Sequence, residues 1–187
     1  MQIPSARLAL TAGALFTILA LPTAAQAQAS LLPIKVTEKQ SRAQELDRKA
    51  AEYEINDWSK IRTAAKLREQ AAGLREDADV MKSASLYWAA RDRYYSDDVS
   101  TARTLMVSSA EHALAIGDVI AAANAFTDAA YLSTDLRDVE STRTYATRAR
   151  LLASSPMLSA EQRSDVLSRL AFGGLTAERV ASLGVRR

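Results

Sequence analysis

The residue types best suited to recognition crowd into one short stretch, Leu86-Tyr87-Trp88-Ala89-Ala90-Arg91-Asp92-Arg93-Tyr94-Tyr95. The chain holds 2 Trp, 6 Tyr and 3 Phe, and four of these aromatics lie between positions 87 and 95. Tyr, Trp and Arg combine a broad contact surface with a polar handle, which is why they dominate binding hot spots. On a helix, Tyr87, Arg91, Tyr94 and Tyr95 share one broad face. Trp88 lies beside it, in line with Asp92 and Tyr95 at four and seven positions further on. Tyr87, Trp88, Arg91, Tyr94 and Tyr95 are therefore the candidate partner-binding residues. The competing reading is a core belt, with Trp88 and one tyrosine packed on neighbouring helices and the arginines solvated.

Covalent and acid–base chemistry finds less support. His112 is the only imidazole, in Ala110-Glu111-His112-Ala113-Leu114, and Ser108 at i−4 would share its face as a nucleophile to its base. A histidine at the edge of a core is the commoner use. With no cysteine and a single histidine, thiolate metal sites, disulfides and two-histidine metal motifs are excluded. Glu76, Asp77 and Asp79, and again Asp92, Asp97 and Asp98, are acidic groups of the kind that bind Ca²⁺ or exchange protons. They fall at expected helix starts or turns, where Asp satisfies free N–H groups and meets the helix dipole favourably. Gly173-Gly174 lacks the Lys-Ser/Thr of a phosphate-cradling loop. No catalytic, cofactor-binding or metal-ligating residue is assigned, and the chain is read as a non-enzyme without cofactor.

The elements that must position these residues are helices. Alanine is the commonest residue, valine and isoleucine are scarce, and apolar residues recur at spacings of three and four. Thr37-Glu38-Lys39-Gln40 reads as a capping box opening a helix to about Ile55. Asn56-Asp57 is expected to cap a second helix ending near Gly73. Asp77 or Asp79 opens a third, to Tyr95. Asp97-Asp98, Gly117-Asp118 and Arg137-Asp138 open three more. Ser159, with Gln162 three residues on, opens another that Gly173-Gly174 ends, and a short helix from Ala177 to Leu183 stops at Gly184. The starts recur about every twenty residues. Three helices then present equivalent stripes: Val99, Ala102, Met106, Ser109 and Ala113; Val119, Ala122, Phe126, Ala129 and Ser133; Val139, Thr142, Ala146, Ala149 and Ala153. The expected fold is all-α, either antiparallel helical hairpins stacked as a short α-solenoid or an up-down helical bundle.

Residues 1–27 read differently. Arg7 is followed by an apolar run from Leu8 to Leu21, then Pro22 and the small-residue end Ala25-Gln26-Ala27. That order is a secretory signal peptide, with cleavage expected after Ala27. Fourteen apolar residues rise about 21 Å as a helix, short of the roughly 30 Å hydrocarbon core. The expected organisation is a leader over 1–27, an irregular lead over 28–37, a helical domain over 38–172 and a short helix with tail over 173–187. The expected location is the periplasm or the medium, with no membrane-spanning segment after cleavage. Lys+Arg is 24 against Asp+Glu 22, which argues against a nucleic-acid partner.

Gly117-Asp118-Val119-Ile120-Ala121-Ala122-Ala123-Asn124-Ala125-Phe126-Thr127-Asp128-Ala129 resembles the turn and second helix of a tetratricopeptide repeat. In that family a Gly-Asp turn is followed by small, aromatic and Ala positions, which Ala122, Phe126 and Ala129 occupy. Asn56-Asp57-Trp58-Ser59-Lys60 resembles the same turn, with Ile61 and Ala65 following. The likeness covers roughly residues 38 to 171. It departs from the family in a unit of about 40 residues rather than 34, and in lacking the proline after the second helix. The resemblance implies a scaffold that holds a protein or peptide on its inner face. With Leu86 at the family's first-helix aromatic position, Tyr87, Arg91, Tyr94 and Tyr95 turn to that face. The functional expectation is an exported adaptor for a protein or peptide of the cell envelope. The alternatives are a self-associating structural bundle and, more remotely, a small enzyme using His112. Oligomeric state is left open.

Overall fold

Alanine-rich, glycine-poor segments with a polar cap at most starts form helices throughout residues 37–182, the part of the chain described by the computed structural model. The expected leader, nearly all of the 28–37 lead, and Leu183 and Gly184 lie outside the described residues. The helices are α1 (Glu38–Asn56), α2 (Ile61–Leu74), α3 (Val80–Tyr95), α4 (Val99–Ala115), α5 (Val119–Asp135), α6 (Val139–Ala153), α7 (Ala160–Phe172) and α8 (Ala177–Ser182). No strand occurs among the described residues. None of their helices is long and apolar enough to cross a membrane.

The caps follow the sequence closely. The Gln40 N–H donates to Thr37 Oγ1 at 3.2 Å and the Thr37 N–H donates back to Gln40 Oε1 at 3.0 Å, completing a capping box. Ser159 and Gln162 repeat the arrangement before α7. Asp79, Asp98, Asp118 and Asp138 cap α3 to α6 through side-chain oxygens. The expectation for α2 needs correction. Asn56 still belongs to α1, and Asp57 closes it by donating its N–H to the Tyr53 carbonyl at 2.9 Å. A 3-10 turn over Trp58–Lys60 intervenes before α2 starts at Ile61. Asp57 is not free to cap α2, because its carboxylate accepts from the Ser59 hydroxyl at 2.5 Å and pairs with Lys60 at 2.9 Å. α2 ends at Leu74, one residue beyond Gly73, as expected.

Three turns share one geometry. Asp97, Gly117 and Arg137 each adopt positive φ, at 63°, 81° and 57°. The next residue donates its N–H five residues back: Asp98 to the Arg93 carbonyl, Asp118 to Ala113 and Asp138 to Ser133, at 2.9, 2.8 and 2.9 Å. This is the Schellman closure of a helix C-terminus, followed at once by an Asp cap on the next helix. One joint, reused every twenty residues, folds the chain back on itself.

Each helix from α1 to α6 packs chiefly on its sequence neighbours, and α7 then packs on both α6 and α5. The result is a stack of antiparallel helical hairpins rather than a bundle closed between its first and last helices. The predicted stripes form the seams. Ala102, Met106, Ser109 and Ala113, then Ala122, Phe126, Ala129 and Ser133, then Thr142, Ala146, Ala149 and Ala153 are buried, whereas the leading Val99, Val119 and Val139 are not. Phe126 is the largest fully buried side chain, stacked on Tyr145 with centroids 6.1 Å apart. Around it the seams are lined with alanine, which lets helices approach closely. Two buried hydroxyls are satisfied within their own helix, Thr127 donating to the Ala123 carbonyl and Ser133 to that of Ala129, each at 2.8 Å, whereas Ser109 donates across to the Ser83 carbonyl at 2.9 Å.

Candidate functional site

Because helix direction alternates, α3 and α5 run parallel, with α4 between them in sequence. The two-helix repeat of about forty residues sets Tyr87 of α3 opposite Asp128 of α5. A groove of about 450 Å³ lies between them. Its α3 wall is Tyr87, Ala90, Arg91, Tyr94 and Tyr95, its α5 wall runs from Asp128 through Tyr131 to Asp135, and Met106 of α4 and Arg169 of α7 complete it. Four of the five residues singled out by sequence thus line one cavity. Trp88 lies one position round the helix and faces elsewhere.

A polar bridge crosses the groove. The Tyr87 hydroxyl donates to Asp128 Oδ2 at 2.7 Å, Arg169 Nη2 donates to Asp128 Oδ1 at 2.5 Å, and Arg169 Nη1 donates to Asn124 Oδ1 at 2.7 Å. The Tyr131 hydroxyl donates to the Arg169 carbonyl. Burial and the Asp128 carboxylate push the Tyr87 phenol up to about 12, so it stays a neutral donor. Asp128, Tyr131 and Arg169 were not foreseen. Asp128 and Tyr131 stand about two periods beyond Tyr87 and Ala90, so the repeat contained a signal for them. Arg169 carried none.

Trp88 helps to form a second cavity of about 170 Å³, with Glu54, Trp58, Arg91, Asp92 and Tyr95. Trp58 is 55% exposed, Tyr95 46% and Trp88 41%, so these rings are presented to solvent rather than packed as a core belt. Trp58 and Tyr95 lie 5.4 Å apart at their centroids. The Arg91 guanidinium sits 4.8 Å from the Trp88 centroid and 5.7 Å from that of Tyr95, and its Nη2 donates to the Tyr95 hydroxyl at 3.1 Å. Arg91 therefore borders both cavities. It makes no ion pair with a carboxylate among the described residues.

Asp92 overturns its reading as a turn or capping residue. Its side chain points into the junction of α1, α2 and α3 and is only 3% exposed. Arg68 of α2 pairs there with Glu54 of α1 and approaches Asp92 Oδ2 with its Nε at 3.2 Å. That approach is an ion pair without hydrogen-bond alignment, and Asp92 Oδ2 is left buried with no hydrogen bond. Burial pushes the Asp92 carboxyl up to about 7; Glu54 beside it adds to the rise and Arg68 opposes it.

The other acidic residues are separate. Asp98 caps α4 and pairs with Arg93 at 3.2 Å, Asp97 forms the turn, Asp79 caps α3, and Asp77 pairs with Lys82 at 2.6 Å. No group of three or more metal-ligating residues assembles among the described residues. His112 Nε2 is buried without a hydrogen-bond partner, and the Ser108 hydroxyl donates to the Thr104 carbonyl at 3.0 Å instead of serving the imidazole. Comparison with protein-family models, curated proteins and solved structures finds no match to this chain.

Proposed function

We propose that this chain is an exported, non-enzymatic recognition module that holds a protein or peptide segment of the cell envelope in the groove between α3 and α5. The observation that carries the reading is the groove wall itself. Tyr87, Arg91, Tyr94 and Tyr95 come from one helix face, and that face borders a cavity rather than a packed seam. Tyr94 is 43% exposed and Arg91 has no carboxylate partner among the described residues, which leaves surface and charge open to a ligand. The tetratricopeptide-like reading draws support from the buried Ala122, Phe126 and Ala129, and from the buried Ile61 and Ala65 after the first turn. Export rests on the charged, apolar and small-residue order of residues 1–27, and the mature chain is expected to begin at Gln28.

A photo-crosslinking amino acid at Tyr94 tests the reading in envelope extract, with the same group at the exposed Arg143 as control. A discrete adduct is expected at Tyr94 and none at Arg143. Arg91→Ala combined with Tyr94→Ala is expected to weaken capture by about tenfold or more while the melting temperature holds. A large drop in melting temperature would return these side chains to a structural role. Light scattering that shows concentration-dependent oligomers, with no captured partner, would favour self-assembly instead.

A further inference from the structure

At the junction of α1, α2 and α3, two carboxylates share one arginine beneath an open cavity. Glu54 and Asp92 both line the 170 Å³ space, and Arg68 is the one cation ion-paired with them among the described residues. Whenever both acids are ionised, one carboxylate thus has no ion-pair partner of its own, with Arg91 attracting Asp92 only from further off. Asp92 lines this space, and its Oδ2 is buried with no hydrogen bond. The rest of the wall is aromatic: Trp58 from the 3-10 turn, Trp88 and Tyr95 from α3.

We propose that the cavity formed by Glu54, Trp58, Trp88, Asp92 and Tyr95 receives an alkylammonium or guanidinium head group, the tip of a lysine or arginine side chain offered by the partner. Aromatic faces attract cations through their quadrupole, and the attraction strengthens where water is displaced. These faces already accept guanidinium groups, since Arg68 and Arg91 lie over Trp88 and Arg91 over Tyr95. An entering cation supplies that closer partner, and any proton still held by Asp92 leaves to solvent as the carboxylate ionises against it. Arg91 stands on the rim as a competing charge and also lines the neighbouring groove, so its guanidinium has a second place to lie. The proposal rests on the groove reading only for the source of the cation, and small amines test it without the groove.

The chain carries its own reporter, because both of its tryptophans, Trp58 and Trp88, stand in this wall. Tryptophan emission of the chain is followed at pH 8 against n-butylammonium, methylguanidinium and the peptide acetyl-Gly-Lys-Gly-amide. Sodium butyrate and sodium chloride at matched ionic strength are the controls. A saturable change with the three cations and none with butyrate is expected. Asp92→Asn and Trp58→Ala should each weaken it by about tenfold, and Arg91→Ala should strengthen it several-fold. Trp58 lies in an exposed surface turn, so its variant remains informative if Asp92→Asn disturbs the helix junction. Tighter binding of the peptide than of butylammonium assigns the head group to a polypeptide; the reverse assigns a free amine, with the cation chemistry upheld in both. No saturable response to any cation, an equal response to butyrate, or an unchanged response in Trp58→Ala overturns the proposal, whatever the outcome of crosslinking at Tyr94.

Discussion

Asp92 occupies the last turn of α3, an unfavourable place for a carboxylate because the helix dipole is negative there. Its neighbours compound the cost of ionisation: the site is buried and Glu54 stands beside it. The folded chain therefore holds the Asp92 proton more tightly than the unfolded chain, with a folded value of about 7 against an ordinary 3.8. The stability that this provides is complete at acidic pH below the unfolded value, and it is lost as pH rises through 7. The thermal midpoint is expected to fall from pH 5 to about pH 7 and to level off above it. Asp92→Asn should flatten that dependence, and a wild-type midpoint that is level across this range would contradict it. Tyr87 gives a second titration, since its phenol should ionise near pH 12 as a late step in tyrosine absorbance that Tyr87→Phe removes. The sequence disclosed the face on which Tyr87, Arg91, Tyr94 and Tyr95 lie, because that depends only on helical period. It did not disclose the partners of Asp92, because Glu54 and Arg68 arrive from two other helices.

The three αL joints show which local signals suffice. Asp caps and small-residue stripes predicted α4, α5 and α6 because cap, period and packing agree there. The start of α2 was misplaced because Lys60 offers no side-chain cap and the 3-10 turn consumes the carboxylate of Asp57. Gly117 suits its positive φ, whereas Asp97 and Arg137 hold the same region with a Cβ. Arg137→Gly is therefore expected to stabilise the chain by up to about 1 kcal/mol, read as a higher urea midpoint with unchanged slope. Gly117→Ala should cost a similar amount through backbone strain alone, since no atom stands within 4 Å of an added Cβ. Phe126→Ala, by contrast, opens a cavity among alanines that have little side chain with which to fill it, and should cost about 3–5 kcal/mol.

At the scale of the whole molecule, packing between sequence neighbours makes stability a sum of adjacent interfaces. Amide exchange is expected to be slowest in α4 and α5 and progressively faster toward α1 and α7; uniform protection would show instead that the stack unfolds as one unit. Each side of the groove belongs to a different hairpin, so capture should fail once either hairpin opens. The repeated joint also fixes the lengths to which such a chain can grow or shrink. Excising residues 98–137 would fuse Asp97 directly to Asp138 and remove α4 and α5 together. The helix after α3 would still run antiparallel to it, behind the same kind of cap. The shortened chain should keep its helical circular dichroism but lose the α5 wall, and with it the adduct at Tyr94. Excising a single helix would instead reverse the direction of everything that follows. Viable relatives of this architecture should therefore differ in length by whole pairs of helices, in steps of about forty residues.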